Sequence, residues 1–254
     1  MDRQRFEELA KKQAQPQPPR GAATPQSSRL YRLVAFFTQM QLGYLLRDTK
    51  HSKLAVRIFV FIEGLAALAI ISTAAFLAKL PLLFPPLGPS AFILFRTPLS
   101  RAAAPRSVFL AHNMAMVIGI VMLNLFAFLY PEADLHGSDA LNWPRIFALS
   151  LAMGFTSLGM IMFNCAHPPA AATTLIAAMG YFSTPLQIAA LPVAVALLLL
   201  QAFIFNRLLG GLPFPVWTFD PKAAREYPDL AGLGDQKTGH WEQISGRVFE
   251  RRRK

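Results

Sequence analysis

The 254-residue sequence has long stretches without any charged residue, and this scarcity of charge is its most informative feature. No Asp, Glu, Lys or Arg occurs over the 61 residues from 146 to 206, and a second uncharged run covers 107–131. A third apolar stretch, 58–78, is interrupted only by Glu63. A transmembrane helix needs roughly 20 mostly apolar residues, whereas a soluble helix shows a polar face at every turn. The runs predict an all-α membrane protein.

Cysteine is also scarce, since Cys165 is the single one in the sequence. This excludes a disulfide framework within the chain and a metal cage built from cysteines. No carboxylate occurs between 146 and 206, and no HExxH motif is present. A Cys165–His167 dyad is unfavourable on a helix, because residues two apart point in different directions, and a non-helical chain beside the prolines leaves it open as an alternative. We therefore expect no enzyme activity, no metal site and no cofactor.

Acidic residues are few, 14 against 25 Lys and Arg, and the net charge is +11. The basic residues lie at the ends of the apolar segments, so membrane topology explains them and nucleic acid is not an expected partner. The 96–106 loop is basic, whereas the 130–144 loop has three acids and no Lys or Arg between Pro131 and Pro144. Short loops rich in Lys and Arg stay cytoplasmic. We expect an inner (plasma) membrane protein with both termini in the cytoplasm.

Proline and polar residues divide the chain into four parts. Residues 1–29 are rich in Pro, Gln and Ser, which predicts a disordered segment. Residues 30–48 have an apolar helical face, which predicts an interfacial amphipathic helix; a helix packed on the cytoplasmic end of the bundle is the alternative. Residues 50–209 are the predicted transmembrane domain, and 210–254 the predicted cytoplasmic tail.

Within the transmembrane domain the pattern predicts a helical bundle of four long helices plus two short helices. The long helices are predicted at 55–78, 107–129, 145–163 and 186–206. The regions 81–95 and 164–180 contain several prolines, which interrupt a helix in its interior but suit its first turn. We therefore expect a short, proline-broken membrane helix in each region. The loop charges favour six passes over four passes with two re-entrant loops.

The order of these elements predicts an internal repeat of a long helix, a broken short helix and a long helix. Gly88-Pro89-Ser90 aligns with His167-Pro168-Pro169, and the second short helix is predicted to be eight residues longer. Because the first half begins inside and the second half outside, the repeat would be inverted. Transporters with inverted repeats have their substrate site near the midplane, between discontinuous helices.

Each break precedes a helix N-terminus, where free N–H groups and the helix dipole attract anions. Hydroxyl groups and an imidazole lie near both breaks. The predicted binding residues are Gly88, Pro89, Ser90, His167, Pro168, Pro169, Thr173 and Thr174. The alternative is structural: Pro-Pro forms a kink, the imidazole caps a freed carbonyl, and the hydroxyls bond back to carbonyls or to neighbouring helices.

Three other polar residues are candidates for function. Glu63 is ionisable and lies inside a predicted span, which marks a functional position by default. Its alternative is an ion pair or cap with Arg57 at the cytoplasmic side. His112 and Asn113 begin the third segment, where solvation at the membrane interface is the alternative.

Three segments resemble the HPP family of integral membrane proteins, named for its His-Pro-Pro triplet: LGPSAFILF (87–95), PRSVFLAHN (105–113) and NCAHPPAAATTLIAAMG (164–180). The resemblance covers roughly 50–206 and implies four transmembrane helices. It carries over most directly to His167-Pro168-Pro169 and then to Gly88-Pro89-Ser90. Some bacterial members add a CBS module, for which residues 207–254 are too short. Plastid and cyanobacterial members are implicated in nitrite transport, which implies a related role here.

The sequence therefore predicts transport of a small inorganic anion, with nitrite as the candidate, through a site at the broken helices. The expected partners are this anion and the lipid bilayer, and a homo-oligomer is left open. The alternative is a non-transporting membrane scaffold. In that case the amphipathic helix and the basic tail would bind a partner protein or anionic lipid.

Overall fold

A computed structural model describes residues 52–137 and 140–233, and all regular structure in these two ranges is helical. The predicted disordered segment 1–29 and the predicted amphipathic helix 30–48 lie outside the described residues. In chain order the helices are α1 (Ser52–Ala78), α2 (Leu87–Arg96), α3 (Pro105–Leu129), α4 (Trp143–Met162), α5 (Ala170–Ala178), α6 (Pro185–Phe203) and α7 (Pro221–Glu226).

Four helices are long and apolar enough to cross a membrane, as the sequence predicts. The apolar spans are Val56–Ala78, Pro105–Leu129, Trp143–Met162 and Pro185–Leu209. The last one includes a π-helical turn, Ile204–Leu209, that continues α6. Their bounds agree with the predicted ones to within three residues, which is the usual uncertainty of helix ends. The prediction of an all-α bundle with four long and two short helices is confirmed.

Proline and capping side chains set where the long helices begin. Proline occupies the first turn of α3, α4 and α6, where its missing N–H has no helical partner to lose. Asn142 caps α4 by accepting a hydrogen bond from the Arg145 N–H. Thr184 and Gln187 form a reciprocal capping box at the start of α6. The helix starts are thus encoded locally, which explains why they were predictable.

Contacts along α3 show that α3 and α5 run in the same direction. Gly119 lies directly against Ala177, and one turn further along, Leu123 packs beside Gly180. Helix α4 runs the opposite way, since Gly159 near its end packs on Met114 near the start of α3. We call the end of the bundle at which α3 begins the arginine end, because Arg96, Arg101 and Arg106 lie there, and the other the acidic-loop end.

The first short helix, α2, runs towards the arginine end, parallel to α6. Phe84, just before α2, stacks on Phe182, just before α6, with ring centroids 5.6 Å apart. At the other end the Asn206 side chain donates to the carbonyl of Leu94 over 3.1 Å. Segment 79–96 therefore passes from the acidic-loop end to the arginine end. Its first half is non-helical and its second half is helical.

The second broken segment, 163–180, crosses in the reverse direction. Asn164 contacts Arg101 at the arginine end, whereas Gly180 packs on Leu123 towards the acidic-loop end. Both broken segments thus pass through the bundle and do not return to the end they left. With α1 to α6 alternating in direction, the two halves have opposite orientation, in agreement with the predicted inverted repeat.

The register of the repeat differs from the predicted one. The N–H of Leu87 donates to the Phe84 carbonyl just as the N–H of Ala170 donates to the His167 carbonyl. The equivalent of His167-Pro168-Pro169 is therefore Phe84-Pro85-Pro86, so the predicted alignment with Gly88-Pro89-Ser90 is wrong by four residues. The short helices have 10 and 9 residues, so the expected difference in length is also wrong. Pro89 suits the first turn of a helix, so the sequence favours a helix that starts near Pro89, whereas α2 starts at Leu87.

The described part of the predicted tail, 210–233, packs on the arginine end of the bundle. Leu230 accepts a hydrogen bond from the Leu99 N–H, and Trp217 accepts one from the Arg106 N–H. Leu230 also lies in a buried apolar cluster with Leu99 and Leu212. The segment after α6 is therefore part of the folded unit up to at least Leu233.

Candidate functional site

Four fully buried polar side chains, each from a different segment, form one hydrogen-bonded group inside the bundle. They are Ser90 of α2, His112 of α3, His167 of the second break and Thr173 of α5. We call them the His–Ser–Thr cluster. All four have 0% of their surface exposed. The two broken segments and α3 therefore converge on one hydrogen-bonded polar point inside the bundle.

Ser90 is the hub of the cluster. Its Oγ lies 2.8 Å from His112 Nε2 and 2.9 Å from His167 Nε2. The same oxygen lies 2.9 Å from the carbonyl oxygen of Pro86, one turn earlier. On the other side of the His112 ring, Nδ1 lies 2.7 Å from Thr173 Oγ1. These distances are those of good hydrogen bonds.

The ring of His167 is oriented by the backbone of a neighbouring turn. Its Nδ1 lies 2.8 Å from the carbonyl oxygen of Ala102, in the 3₁₀ turn Arg101–Ala103. A carbonyl only accepts, so Nδ1 carries the hydrogen of this bond. The structural alternative, in which the imidazole caps a free carbonyl, therefore accounts for the Nδ1 side of the ring. The other half faces Ser90, and the ring centroids of His167 and His112 are 5.1 Å apart.

The solvation alternative for His112 is wrong. Although only seven residues separate it from the start of α3, its side chain is fully buried. Asn113, predicted beside it, is half-buried and donates to the carbonyl of Phe109, four residues earlier, over 2.7 Å. The structure thus separates the two: His112 belongs to the cluster, and Asn113 bonds within its own helix.

The other residues predicted at the breaks do not form part of the cluster. Pro89 and Pro168 are exposed, and Gly88 is half-buried with open space where a side chain would lie. Pro169 is buried at the N-cap position of α5. These residues shape the non-helical backbone that brings Ser90 and His167 together. A binding role for them stays a prediction.

Thr174 and Glu63, also predicted, lie elsewhere in the bundle. The hydroxyl of Thr174 donates to Thr156 Oγ1 on α4 over 2.9 Å and also reaches the Ala170 carbonyl at 3.4 Å. It ties α5 to α4, as the structural alternative anticipated. Glu63 on α1 is 5% exposed, and its Oε2 has no hydrogen-bond partner. The alternative, in which Glu63 forms a cap or an ion pair, would give Oε2 a partner, and this oxygen has none.

The predicted free N–H groups at the short-helix starts are already bonded. The N–H groups of Ala170, Ala171 and Ala172 donate to the carbonyls three residues earlier, at 3.0 to 3.1 Å. At α2, Leu87 and Gly88 do the same at 3.0 and 3.3 Å. The prediction of free amides is therefore wrong, because the 3₁₀-like first turn uses them. The side chains, and not the helix ends, are what a ligand would meet.

The cluster lies closer to the arginine end than to the middle of the bundle. His112 is seven residues into the 25-residue helix α3, which corresponds to about 10 Å at about 1.5 Å per residue. The cluster is thus shifted from the expected position at the midplane by about one and a half helical turns. This places the cluster just beneath the loop that contains Arg101 and Arg106.

Two arginines of this loop cap the end of α4. Arg101 Nη1 donates to Asn164 Oδ1 over 2.7 Å, and Arg106 donates to the carbonyls of Asn164 and Phe163 at 3.2 and 3.1 Å. Asn164 itself has a φ of 51°, in the left-handed region that ends a helix. The two positive charges therefore lie at the start of the non-helical segment that leads to His167.

Sequence reasoning missed one buried charge, Arg145. Its side chain is fully buried, and it donates to the carbonyls of Leu135 at 2.7 Å and Met179 at 3.3 Å. Met179 ends α5, where a positive charge is favourable. Arg145 is the third residue of α4, so the rule that flagged Glu63, an ionisable residue within an apolar span, could have flagged it too.

A cleft of about 740 Å³ opens at the acidic-loop end, beyond the C-terminus of α5. It is lined by both polar and aromatic residues, among them Asn124, His136, Tyr181 and Ser183. Helix α5 extends between this cleft and the cluster.

Four membrane-length helices around two crossing, proline-broken segments define a multi-pass membrane protein whose broken helices meet at a buried polar point. More particularly, the chain belongs to the HPP family: the family model described as "HPP, transmembrane region" matches residues 49–215. The resemblance inferred from the His-Pro-Pro segment is thereby confirmed.

A transmembrane protein of Dictyostelium discoideum is a relative, 27% identical over 164 residues that cover 61% of this chain and 52% of that protein. The chain thus spans about half the length of this relative. No solved structure matches the chain significantly.

Proposed function

We propose that the protein moves a small inorganic anion, with nitrite as the candidate, across the membrane through the His–Ser–Thr cluster. The observation that supports this most is the convergence of both broken segments on four fully buried polar side chains. Non-helical backbone at membrane depth is tolerated where protein buries it or where it lines a polar cavity.

The polar character of the cluster needs an explanation beyond stability. Replacing a buried polar network by well-packed apolar residues is often neutral or stabilising. Ionisable residues inside membrane proteins, such as His112 and His167, are functional-site candidates by default. The first repeat illustrates the alternative, because Phe84 occupies the position equivalent to His167 and is buried among aromatic rings. A histidine is thus not required for this type of break.

The chemistry of the cluster suits an anion. Hydroxyl and imidazole groups donate hydrogen bonds to oxyanions, and Arg101 and Arg106 lie at the start of the non-helical segment, where they raise the local anion concentration. Helices α2, α3, α4, α5 and α6 and the break 163–169 contain no Asp or Glu. A cation would lack its preferred carboxylate ligands in this environment.

Transport would require the cluster to open. Its polar atoms bond one another at 2.7 to 2.9 Å, so an anion must separate Ser90 from at least one histidine before it binds. Because α2 is a short helix and the 163–169 break is non-helical, a small shift of either one would open this contact. In such a cycle the hydrogen-bonded arrangement of the cluster would be the closed state.

The direct test is anion uptake by purified protein in liposomes, with nitrite, nitrate and chloride measured separately. We expect uptake of at least one anion above that of protein-free liposomes. Ser90→Ala and His167→Ala should each lower it at least tenfold, while both proteins stay folded by circular dichroism and thermal unfolding. Absence of uptake for all three anions in folded wild-type protein would refute the proposal.

A second candidate function, a membrane scaffold without transport, is favoured by the closed state of the cluster. In a scaffold the hydrogen bonds of Ser90 and His167 would only hold α2, α3 and α5 together. The two functions differ in one readout. A scaffold predicts that Ser90→Ala lowers thermal stability while no anion crosses the membrane in either protein.

A further inference from the structure

We propose that the His–Ser–Thr cluster binds one proton together with the anion, so that the protein carries the anion with H⁺ in an electroneutral step. This inference rests on the proposed anion transport and specifies what the anion is coupled to. It follows from the number of hydrogens that the cluster needs and from the absence of acidic residues on the helices that form it.

The cluster has more hydrogen-bond contacts than hydrogens when both histidines are neutral. There are five contacts: Ser90 with Pro86, His112 and His167, His112 with Thr173, and His167 with Ala102. Each contact needs one hydrogen, whereas two hydroxyls and two neutral imidazoles supply only four. One contact is therefore unsatisfied in the neutral state.

The conflict lies at Ser90. Since His167 Nδ1 carries its hydrogen towards Ala102, the neutral ring has only a lone pair on Nε2, and Ser90 must donate to it. The Ser90 hydroxyl then cannot donate to the Pro86 carbonyl at 2.9 Å, which only accepts. The Pro86 carbonyl also accepts from the Ser90 N–H at 3.3 Å, so what lacks a hydrogen is the 2.9 Å contact itself, in which lone pairs of two oxygens face each other.

One added proton satisfies all five contacts. A hydronium ion of the solvent gives up its proton, which breaks one O–H bond and leaves water, and the proton forms an N–H bond at Nε2 of His167, which then donates to Ser90 Oγ. Ser90 turns its hydrogen to the Pro86 carbonyl and accepts a second bond from Nε2 of His112, and Thr173 donates to Nδ1 of His112. No other covalent bond is made or broken. The geometry is thus complementary to the cluster with one imidazolium.

A buried imidazolium needs a counter-charge, and the hydrogen-bond partners of His112 and His167 among the described residues include no carboxylate. On the surrounding elements, Arg101 and Arg106 are positively charged and bond to residues 163 and 164. Helix α6 contains no charged residue, and the next one along the chain is Arg207. Cys165 is a buried thiol close in sequence. Glu63, on α1 beside α2, has an Oε2 without a hydrogen-bond partner.

The anion itself is therefore the natural counter-charge. Burying an isolated charge inside a membrane protein is strongly unfavourable, and an ion pair reduces this penalty for both partners. Proton and anion then favour each other's binding, and by linkage the coupling is reciprocal. Lower pH on the side from which the anion enters should increase uptake.

The test uses full-length protein in liposomes, with nitrite and nitrate as separate probes and protein-free liposomes subtracted. With the membrane potential held at zero, an outside-acid gradient of one pH unit should raise the initial uptake rate several-fold. An inside-positive potential without a pH gradient should leave the rate unchanged. Nitrate is included because nitrous acid crosses lipid unaided whereas nitric acid is fully ionised.

The results separate the two proposals. Uptake driven by the inside-positive potential and insensitive to the pH gradient would overturn proton coupling but leave anion transport intact. No protein-dependent uptake of either probe under either driving force would overturn both.

A variant pair locates the proton. His167→Gln retains a hydrogen-bonding side chain that does not titrate, so residual uptake should lose its dependence on the pH gradient. Glu63→Gln removes the other buried titratable group named above, and the dependence should remain. Loss of the dependence in Glu63→Gln with retention in His167→Gln would assign the proton to Glu63 and overturn the proposal for the cluster.

Discussion

At the scale of single residues, Ser90 has the largest predicted effect, because three hydrogen-bond contacts meet at one oxygen. Ser90→Ala removes the hydrogen-bond partner of His112 Nε2 and of His167 Nε2 in a fully buried site. An unsatisfied buried polar group costs about 1–3 kcal/mol. We therefore expect a lower thermal unfolding temperature together with strongly reduced anion uptake.

Thr156→Val is the matched control for Ser90→Ala. It removes the buried hydroxyl that accepts from Thr174 and leaves the contacts of His112 and His167 in place. Its loss of stability should be smaller, about 1 kcal/mol for one neutral hydrogen bond. Uptake that falls equally in both variants would show that stability, not the cluster, limits transport.

Arg145 gives a second prediction at this scale, for stability. Arg145→Leu removes the charged donor to the carbonyls of Leu135 and Met179 and with it the positive charge at the end of α5. Hydrogen bonds to charged groups contribute about 1.5–3 kcal/mol each. We expect a clear drop in unfolding temperature in detergent, whereas Arg225→Leu, at an exposed position of α7, should change it little. Equal unfolding temperatures for Arg145→Leu and the wild type would contradict this role.

Single residues also show what the sequence could and could not predict. His167, Ser90 and Thr173 were predictable because they are polar residues beside prolines in apolar segments. Their contacts with His112 and with the Ala102 carbonyl were not, since they depend on how four segments pack. The predicted N–H donors failed for a local reason: in a 3₁₀-like first turn each amide bonds to the carbonyl three residues earlier.

At the scale of helices, the close contact of α3 with α5 positions the cluster. A methyl group on Gly119 would lie 2.4 Å from Ala177 Cβ and 2.8 Å from the Thr174 carbonyl oxygen. Both neighbours belong to the α5 helix, so the helices must move apart. Gly119→Ala should therefore lower the unfolding temperature and the anion uptake, because the contact of Thr173 with His112 lengthens.

Gly154→Ala is the control for this helix contact. Gly154 lies on α4 with nothing within 4 Å of an added methyl group. Alanine is favoured over glycine inside a helix by about 0.5–1 kcal/mol, so this variant should be as stable as the wild type or slightly more stable. A Gly119→Ala protein that matches Gly154→Ala in both unfolding temperature and uptake would refute the packing argument.

The helices themselves were well predicted, for physical reasons that differ between the long and the short ones. The long helices follow from apolar length and from prolines and caps at their starts, which are local signals. The register of the short helices was wrong because several prolines in 85–89 could each begin a helix. Only the packing of Phe84 against Tyr181 and Phe182 selects the earlier start.

At the scale of the whole molecule, the loop charges predict that the arginine end faces the cytoplasm and the acidic-loop end faces outward. The buried Cys165 can be replaced by alanine to give a cysteine-free protein. In that background, Arg101→Cys in intact cells should be protected from a membrane-impermeant maleimide, and Asp134→Cys should be labelled. Labelling of Arg101→Cys with protection of Asp134→Cys would show the opposite orientation.

The most direct measurement of the central claim, that the cluster carries the anion, is nitrite uptake by the His167→Phe protein. The repeat justifies this substitution, because Phe84 occupies the equivalent position before the first Pro-Pro pair. The break should therefore still form, and a folded protein is expected by thermal unfolding. Transport through the cluster predicts that its protein-dependent uptake falls at least tenfold below the wild type. Uptake at the wild-type rate in folded His167→Phe protein would contradict the claim.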